Sequence, residues 1–523
     1  MLARCSGAAL MGLEAIPVAV EVDIAPGLPG LLMVGLPDAA VQESRERVRA
    51  ALRNSGLQMP LTRVIVNLAP ADLRKEGPAF DLPIALAVLA ASGQLDPRSL
   101  NGVWCAGELG LDGALRPVRG ALALALAARR AGARALLLPA ANRSEAALVD
   151  ELAIWPATDL RAALHWLQGR GESAGTATTI TPIPKTQPHQ EQALQEGDRQ
   201  LDLADVRGQI HGRRALEIAA AGGHHLLLVG PPGSGKTMLA QRLPGLLPPL
   251  SRREMLELTL LYSVAGLLPA SAAEPGLIQR RPFRSPHHSC SSAALVGGGA
   301  QPRPGELSLA HHGVLFLDEL TEFRRDVLNQ LRQPLEQEEI WLSRARQRLR
   351  YPCAIALVAA TNPCPCGWYG DPERACSCGT GLRQRYWSRL SGPLLDRLDL
   401  QVVLRRLEAS DLVSRRTPGS AAAESSRSVA ERVQAARQRM GARNPGGVNN
   451  AQLLGDALLK QAELGDRALG LWQAAANQRR LSARAAERVL RVARTIADLD
   501  GSTAVEPRAI AEALSYRSFD QAL

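Results

Sequence analysis

The chain has 523 residues, 46% hydrophobic and 21% charged, a globular balance too long for a single core, so on the order of two to four domains are expected. No apolar run approaches the roughly 20 residues of a membrane span, and Glu14, Glu21 and Asp23 interrupt any secretory core, so a cytoplasmic protein with no membrane partner is expected. Lys and Arg number 61 against 51 Asp and Glu, and the resulting +10 suits a polyanionic partner without requiring one.

From the start to residue 167, apolar or alternating runs at 18–24, 31–34, 63–68 and 135–138 predict strands. Helical patterns at 39–55, 82–91 and 120–131 lie between them, which makes this an α/β unit. Three stretches, KEGPAFD (75–81), GELGLDG (107–113) and LPAAN (138–142), resemble the proteolytic domain of the Lon family. That family uses a serine nucleophile activated by a lysine. The serine place here is Ala79 and the lysine place is Leu122, so no protease activity is expected, and 1–167 is read as a structural or binding module. Residues 168–200 are rich in Gly, Ser, Thr, Pro and Gln without periodicity, which predicts a flexible linker.

Residues 201–414 predict a parallel-sheet core around a phosphate-binding loop. The apolar run 226–229 reads as a buried strand, Gly230-Pro231-Pro232-Gly233-Ser234-Gly235-Lys236-Thr237 follows, and Met238 opens a helix. Glycines let backbone N–H groups approach phosphate oxygens, Lys236 reaches the β/γ phosphates, and the Thr237 hydroxyl sits on Mg2+. ATP and Mg2+ are the expected cofactors. A second apolar run ends in Asp318 and Glu319, the first placed to hold the Mg2+ shell and the second to activate water. A third, 354–360, ends in Thr361 and Asn362. An amide at that tip resembles the sensor-1 position of AAA+ ATPases, and LSGPLLDRLDL resembles the arginine-finger segment of their helix-2-insert group, with Arg397 as the finger.

Thr237 and Asp318 are 81 residues apart, long for one crossover, and the surplus holds the turn-rich RRPFRSPHH (280–288). A second insertion, 340–351, predicts a β-hairpin with Arg344, Arg346, Arg348 and Arg350 on one face. A solvated edge hairpin would have the same composition. In the helicases of this group both insertions enter a central pore, which the resemblance extends to Arg284 and the four hairpin arginines as contacts to the DNA backbone. Cys364, Cys366, Cys376 and Cys378 form a compact set suited to structural Zn2+, with reduced structural thiols as the alternative. A polar hinge begins at 415, and 415–523 predicts a helical lid. Along 481–499 Val489, Val492, Ala493, Ile496 and Leu499 form an apolar stripe from which Arg484, Arg488, Arg491 and Arg494 fall away. LSAR (481–484) resembles a sensor-2 helix start, which puts Arg484 near the phosphates and leaves the other arginines as a solvated face.

Together FRSPHHS, GELSLAHHGVLFLDEL, AATNPCPCG and LSGPLLDRLDL make the chain resemble the ComM/YifB family of magnesium-chelatase-like AAA+ proteins. The resemblance implies a homo-hexameric ATP-driven motor acting on single-stranded or branched DNA in its pore. Branch migration in homologous recombination during natural transformation is the implied role, with recombination or loading proteins as further partners. A chelatase-like or chaperone-type ATPase acting on a protein partner is the alternative.

Overall fold

The computed structural model describes residues 2–169, 201–268, 276–299, 302–344, 347–406 and 424–517. The expected linker, Arg346 and the start of the hinge at 415 therefore fall outside the described residues, apart from 168 and 169. The chain divides into two compact units, Met1–Gly197 with Met255–Ile278, and Asp198–Glu254 with Gln279–Leu523. The expected core and lid thus form one unit, and a piece of the expected core belongs to the first.

In the first unit a seven-stranded sheet runs in the order Gly30–Val34, Arg63–Ala69, Glu14–Ala25, Leu2–Met11, Val103–Cys105, Ala135–Pro139, Ala153–Ala157. The longest ladder is the antiparallel pair Leu2–Met11 and Glu14–Ala25, in register from Leu2 opposite Asp23 to Met11 opposite Glu14. The helix Asp81–Ala91 (DLPIALAVLAA) is buried along its whole length, consistent with a sequence that is apolar on every side. At its start the Asp81 carboxylate is fully enclosed and accepts from Ser44, from Arg47 Nε at 2.7 Å and from the Leu109 N–H at 3.2 Å. A buried carboxylate needs this full set of donors. Asp38 caps the helix Ala39–Asn54 by accepting from the Val41 N–H at 2.8 Å.

In the second unit five strands run parallel in the order Phe283–Arg284, Val314–Leu317, Ala356–Thr361, Leu226–Val229, Leu400–Val403. The three central strands, Val314–Leu317, Ala356–Thr361 and Leu226–Val229, are buried on both faces, as parallel strands covered by helices must be, and the two edge strands less so. One apolar cluster joins Leu226, Phe316 and Val358 of the sheet to Val433, Val489 and Ile496 of the C-terminal helices, so sheet and lid share a core.

The helix Ala483–Leu499 departs from expectation. Arg491 and Arg494 are buried, with Arg494 0% exposed, and Arg488 is largely covered. The Arg494 guanidinium donates to Asp498 Oδ1 at 3.0 Å and to the Ser502 carbonyl at 2.6 Å. Asp498 also accepts from Arg443 and, at 2.8 Å, from Asn450 Nδ2. The solvated face is instead a buried ion network closing the lid. Asp498→Ala would strand two enclosed cations, and we predict a loss of about 3–5 kcal/mol of stability, read from the denaturation midpoint of the full chain.

Candidate functional site

Parallel register sets the candidate nucleotide site. Val229 pairs with Thr361 and Leu317 with Ala359, so Gly230, Asp318 and Asn362 leave the sheet side by side at the C-terminal ends of their strands. That edge is where open α/β sheets bind ligands. Gly233 and Gly235 have φ of +78° and +85°, a conformation that side chains resist, and a Cβ at either would meet nothing within 4 Å, so the loop encloses an open cradle. Gly230 is packed instead, its missing Cβ lying 2.7 Å from Ser234 Oγ and 2.8 Å from the Leu404 carbonyl.

Lys236 Nζ donates to the Gly230 carbonyl at 2.7 Å, the Pro231 carbonyl at 3.0 Å and Asn362 Oδ1 at 3.2 Å. Burial pushes the lysine pKa down, opposed by Asp318 and Glu319. Thr237 Oγ1 donates to Asp318 Oδ2 at 3.0 Å, which brings the two expected Mg2+ ligands together. The open cradle, the reaching lysine and this hydroxyl–carboxylate pair fit a triphosphate with Mg2+. Behind Asn362, Thr361 Oγ1 shares hydrogen bonds with Thr321 Oγ1 at 3.0 Å and Tyr386 Oη at 3.2 Å.

Two further residues enter the site without having been singled out. His288 Nδ1 lies 3.0 Å from Glu319, whose backbone takes φ of +50°. Gln209 Nε2 donates to the Ser234 carbonyl at 3.0 Å and the Arg405 carbonyl at 2.6 Å, clamping the loop to the last strand. The sequence signals for them are the paired histidines of FRSPHHS (283–289) and the glutamine that ends DLADVRGQ (202–209), just before the helix Ile210–Gly222.

The opposite edge of the same sheet holds a cavity of about 770 Å³. Its lining includes His225, Gly313, Ile355 and Asp399, each just before a strand. Arg397 and Arg484 line this cavity together with Arg281, Arg437, Arg488 and Arg491. Arg484 was expected near the phosphates. Within one chain it lies at the far end of the strands, because the lid packs against the strand starts. Arg397 is largely covered and pairs with Glu336. His224 Nδ1 sits 3.1 Å from Asp399, and although burial favours protonation of that carboxylate, the bond to His224 and the nearby charges of His224 and Arg488 hold its pKa well below the usual range.

The hairpin exists, as Glu339–Arg344 paired with Gln347–Pro352. Its register sets Ser343 against Arg348 and Trp341 against Arg350, and this face is exposed at Trp341 (49%), Arg348 and Arg350. Ile340, Leu349 and Tyr351 fill the other face. Arg344 is set against Gln347 and Arg348 against Ser343, while Arg346 falls outside the described residues. Arg350 also pairs with Glu339. Arg284, expected to contact DNA, donates to both Glu306 carboxylate oxygens at 2.6 Å.

Cys364, Cys366, Cys376 and Cys378 converge, with all four sulfurs within 4.8 Å of one another. In the first unit, Ala79 and Leu260 pack against the apolar cluster that contains Leu122. The Leu122 N–H donates to Glu145 Oε1 at 2.9 Å, Ser263 Oγ donates to the same carboxylate, and the Gly120 N–H donates to the Ser263 carbonyl at 3.1 Å. Ala79 and Leu122, the expected places of the Ser–Lys pair, thus share their surroundings with Leu260 and Ser263 of the helix Arg252–Ala265.

His225 accepts from the Leu357 N–H at 3.3 Å, and burial, aided by Arg488 and His224, pushes its pKa down to about 4 against the pull of Asp399. An unfolded histidine titrates near ~6.5, so the unfolded chain takes up this proton first as pH falls. The associated stability is complete above about pH 6.5 and is lost as pH falls toward 4. We predict that the melting temperature drops between pH 7 and pH 5, and drops less in His225→Asn, where the amide oxygen can accept from Leu357.

Family models for magnesium chelatase subunit ChlI match residues 202–412, for subunit ChlI of Mg-chelatase 20–142, and for the ChlI C-terminal region 423–517. YifB of Escherichia coli is 45% identical over 98% of this chain and 97% of its own length. Competence protein ComM of Haemophilus influenzae is 44% identical over 98% and 96%. A weaker likeness, 30% identity over 159 residues, relates 29% of the chain to 28% of Lon protease 2 of Bacillus subtilis. Among the described residues no helix is long and apolar enough to cross a membrane. With this identity along nearly its whole length, the chain belongs to the ComM/YifB family of magnesium-chelatase-like AAA+ proteins.

Proposed function

We propose that the protein is an ATP-hydrolysing ring motor, a homo-hexamer that moves on single-stranded or branched DNA in recombination. The observation that carries this reading is the division of the ATP machinery between the two edges of one sheet: Lys236, Thr237, Asp318, Glu319 and Asn362 on one, Arg397 and Arg484 on the other. A chain arranged in this way completes an ATP site by presenting its arginine edge to a neighbour's phosphate loop, and a closed ring is the economical way to satisfy every copy.

In this reading Gly230–Thr237 and Met238 hold the triphosphate, and Lys236 moves from its carbonyl acceptors to the β/γ phosphates. Thr237 and Asp318 hold Mg2+, which when bound offsets phosphate charge. Glu319 takes the proton of the attacking water, with His288 setting its position before substrate arrives. Asn362 orients that water while bonded to Lys236. A neighbour's Arg397 stabilises charge as it develops, an effect of roughly 10³–10⁵ in rate where fingers have been measured.

The DNA half of the proposal rests on the basic charge of the chain, the exposed Trp341–Arg348–Arg350 face and the competence role named for ComM. An aromatic can stack on bases while arginines bind phosphates. The exposed Trp341 also favours a second reading, a motor that grips a protein partner.

ATPase rates with and without branched DNA separate the two. Stimulation by DNA, lost in Arg397→Ala, supports the DNA motor, whereas a rate indifferent to every DNA form supports the protein partner. Glu319→Gln is expected to bind ATP without turnover. The double variant Arg348→Ala with Arg350→Ala is expected to retain basal ATPase and to lose roughly 0.9 of salt slope per missing phosphate contact on duplex. Unchanged DNA binding in that variant would remove the hairpin from the interface.

A further inference from the structure

The cysteine knuckle is built to metal-site dimensions. Cys364 and Cys366 place their sulfurs 3.3 Å apart, and Cys376 lies 3.6 Å from each. A tetrahedral Zn2+ with Zn–S bonds of ~2.3 Å requires sulfurs about 3.8 Å apart, so small outward shifts complete the cage. All four are free thiols, with no disulfide among them. The backbone is shaped for the same end. The Gly367 N–H donates to the Cys364 carbonyl at 2.9 Å in a turn that requires the glycine φ of +84°, and the Cys378 N–H points at Cys376 Sγ at 3.4 Å. Arg383 stacks on Tyr369 and donates to the Cys378 carbonyl at 2.9 Å, holding the second cysteine pair from outside. Four thiolates in a closed set are the donors of a structural zinc site rather than a catalytic one, which would keep a position open.

The knuckle touches the nucleotide machinery at two points. Cys364 lies two residues beyond Asn362, whose side chain accepts from Lys236. A Cβ on Gly367 would lie 2.8 Å from Pro232 Cδ, so the knuckle backbone rests directly on the phosphate loop. We propose that Cys364, Cys366, Cys376 and Cys378 bind one Zn2+ ion, and that the metal-bound knuckle braces the phosphate loop through Pro232 and the position of Asn362. Each bound thiol gives up its proton to solvent, and the ion replaces contacts that four small side chains alone supply weakly. The zinc site stands on its own geometry, while the brace rests on the assignment of Gly230–Thr237 as the ATP site.

The test uses the purified full chain, measuring zinc by elemental analysis and affinity for a fluorescent ATP analogue by titration. The expected results are one zinc per chain, loss of zinc in Cys366→Ser with Cys376→Ser, and analogue binding weaker by roughly tenfold on stripping the metal, restored by added Zn2+. Pro232→Ala covers the case in which the cysteine variant fails to fold, because it leaves the four thiols and the Gly367 turn in place while removing the ring atoms that meet the knuckle. It is expected to keep its zinc and to lose affinity. Protein free of zinc after purification in zinc-replete medium overturns the metal site. Zinc present with equal analogue affinity before and after stripping overturns the brace, and failure of the zinc-loaded wild type to bind the analogue overturns the ATP-site assignment beneath it.

Discussion

A parallel sheet has two unlike edges, and the second unit is organised by that inequality. Every strand ends on the same side, so the loop after Val229, the carboxylates after Leu317 and the amide after Thr361 meet without any long-range device beyond strand register. Every strand also begins on the same side, where the lid helices and the Arg397 segment gather around a cavity. A four-residue strand spans about 13 Å, and the arginine edge and the phosphate edge of one chain are held at least that far apart. A shared core from Leu226 to Ile496 keeps the lid there. The proposed division of the ATP site between neighbours follows from this constraint.

The first unit applies the same packing rules to a different purpose. Its buried charges are tied down: Asp81 by Ser44, Arg47 and the Leu109 N–H, and Glu145 by the Leu122 N–H and Ser263. Ala79, Leu122 and Leu260 of this unit share one apolar cluster. Leu260 and Ser263 belong to the helix Arg252–Ala265, which in chain order lies between the phosphate loop and Asp318.

What the sequence discloses follows from the range of the interactions. The phosphate loop, the Asp318–Glu319 pair and the cysteine set were legible because their chemistry requires specific residues at short spacing. The strands 226–229 and 63–68 and the helix 39–55 were legible from periodicity. Leu2–Met11 was passed over, since LARCSGAALM is rich in small residues and has little β propensity, and pairing with Glu14–Ala25 supplies the missing preference. The arginines of Ala483–Leu499 were misjudged for a related reason. Amphipathic periodicity cannot distinguish a cation facing water from one facing Asp498, because the partner is supplied by tertiary structure. On the hairpin, alternation counted by residue number alone does not give the pairing, which sets Arg348 against Ser343 and Arg350 against Trp341.

The central claim is that an ATP site requires two chains, and mixing two inactive variants tests it most directly. Glu319→Gln retains the arginine edge but lacks the residue that activates water. Arg397→Ala retains the phosphate edge but lacks the finger. If sites are shared, each variant alone is idle and the co-assembled mixture regains ATPase activity at interfaces that join the intact edge of one to the intact edge of the other. A mixture that co-assembles yet stays as idle as its components would contradict the account.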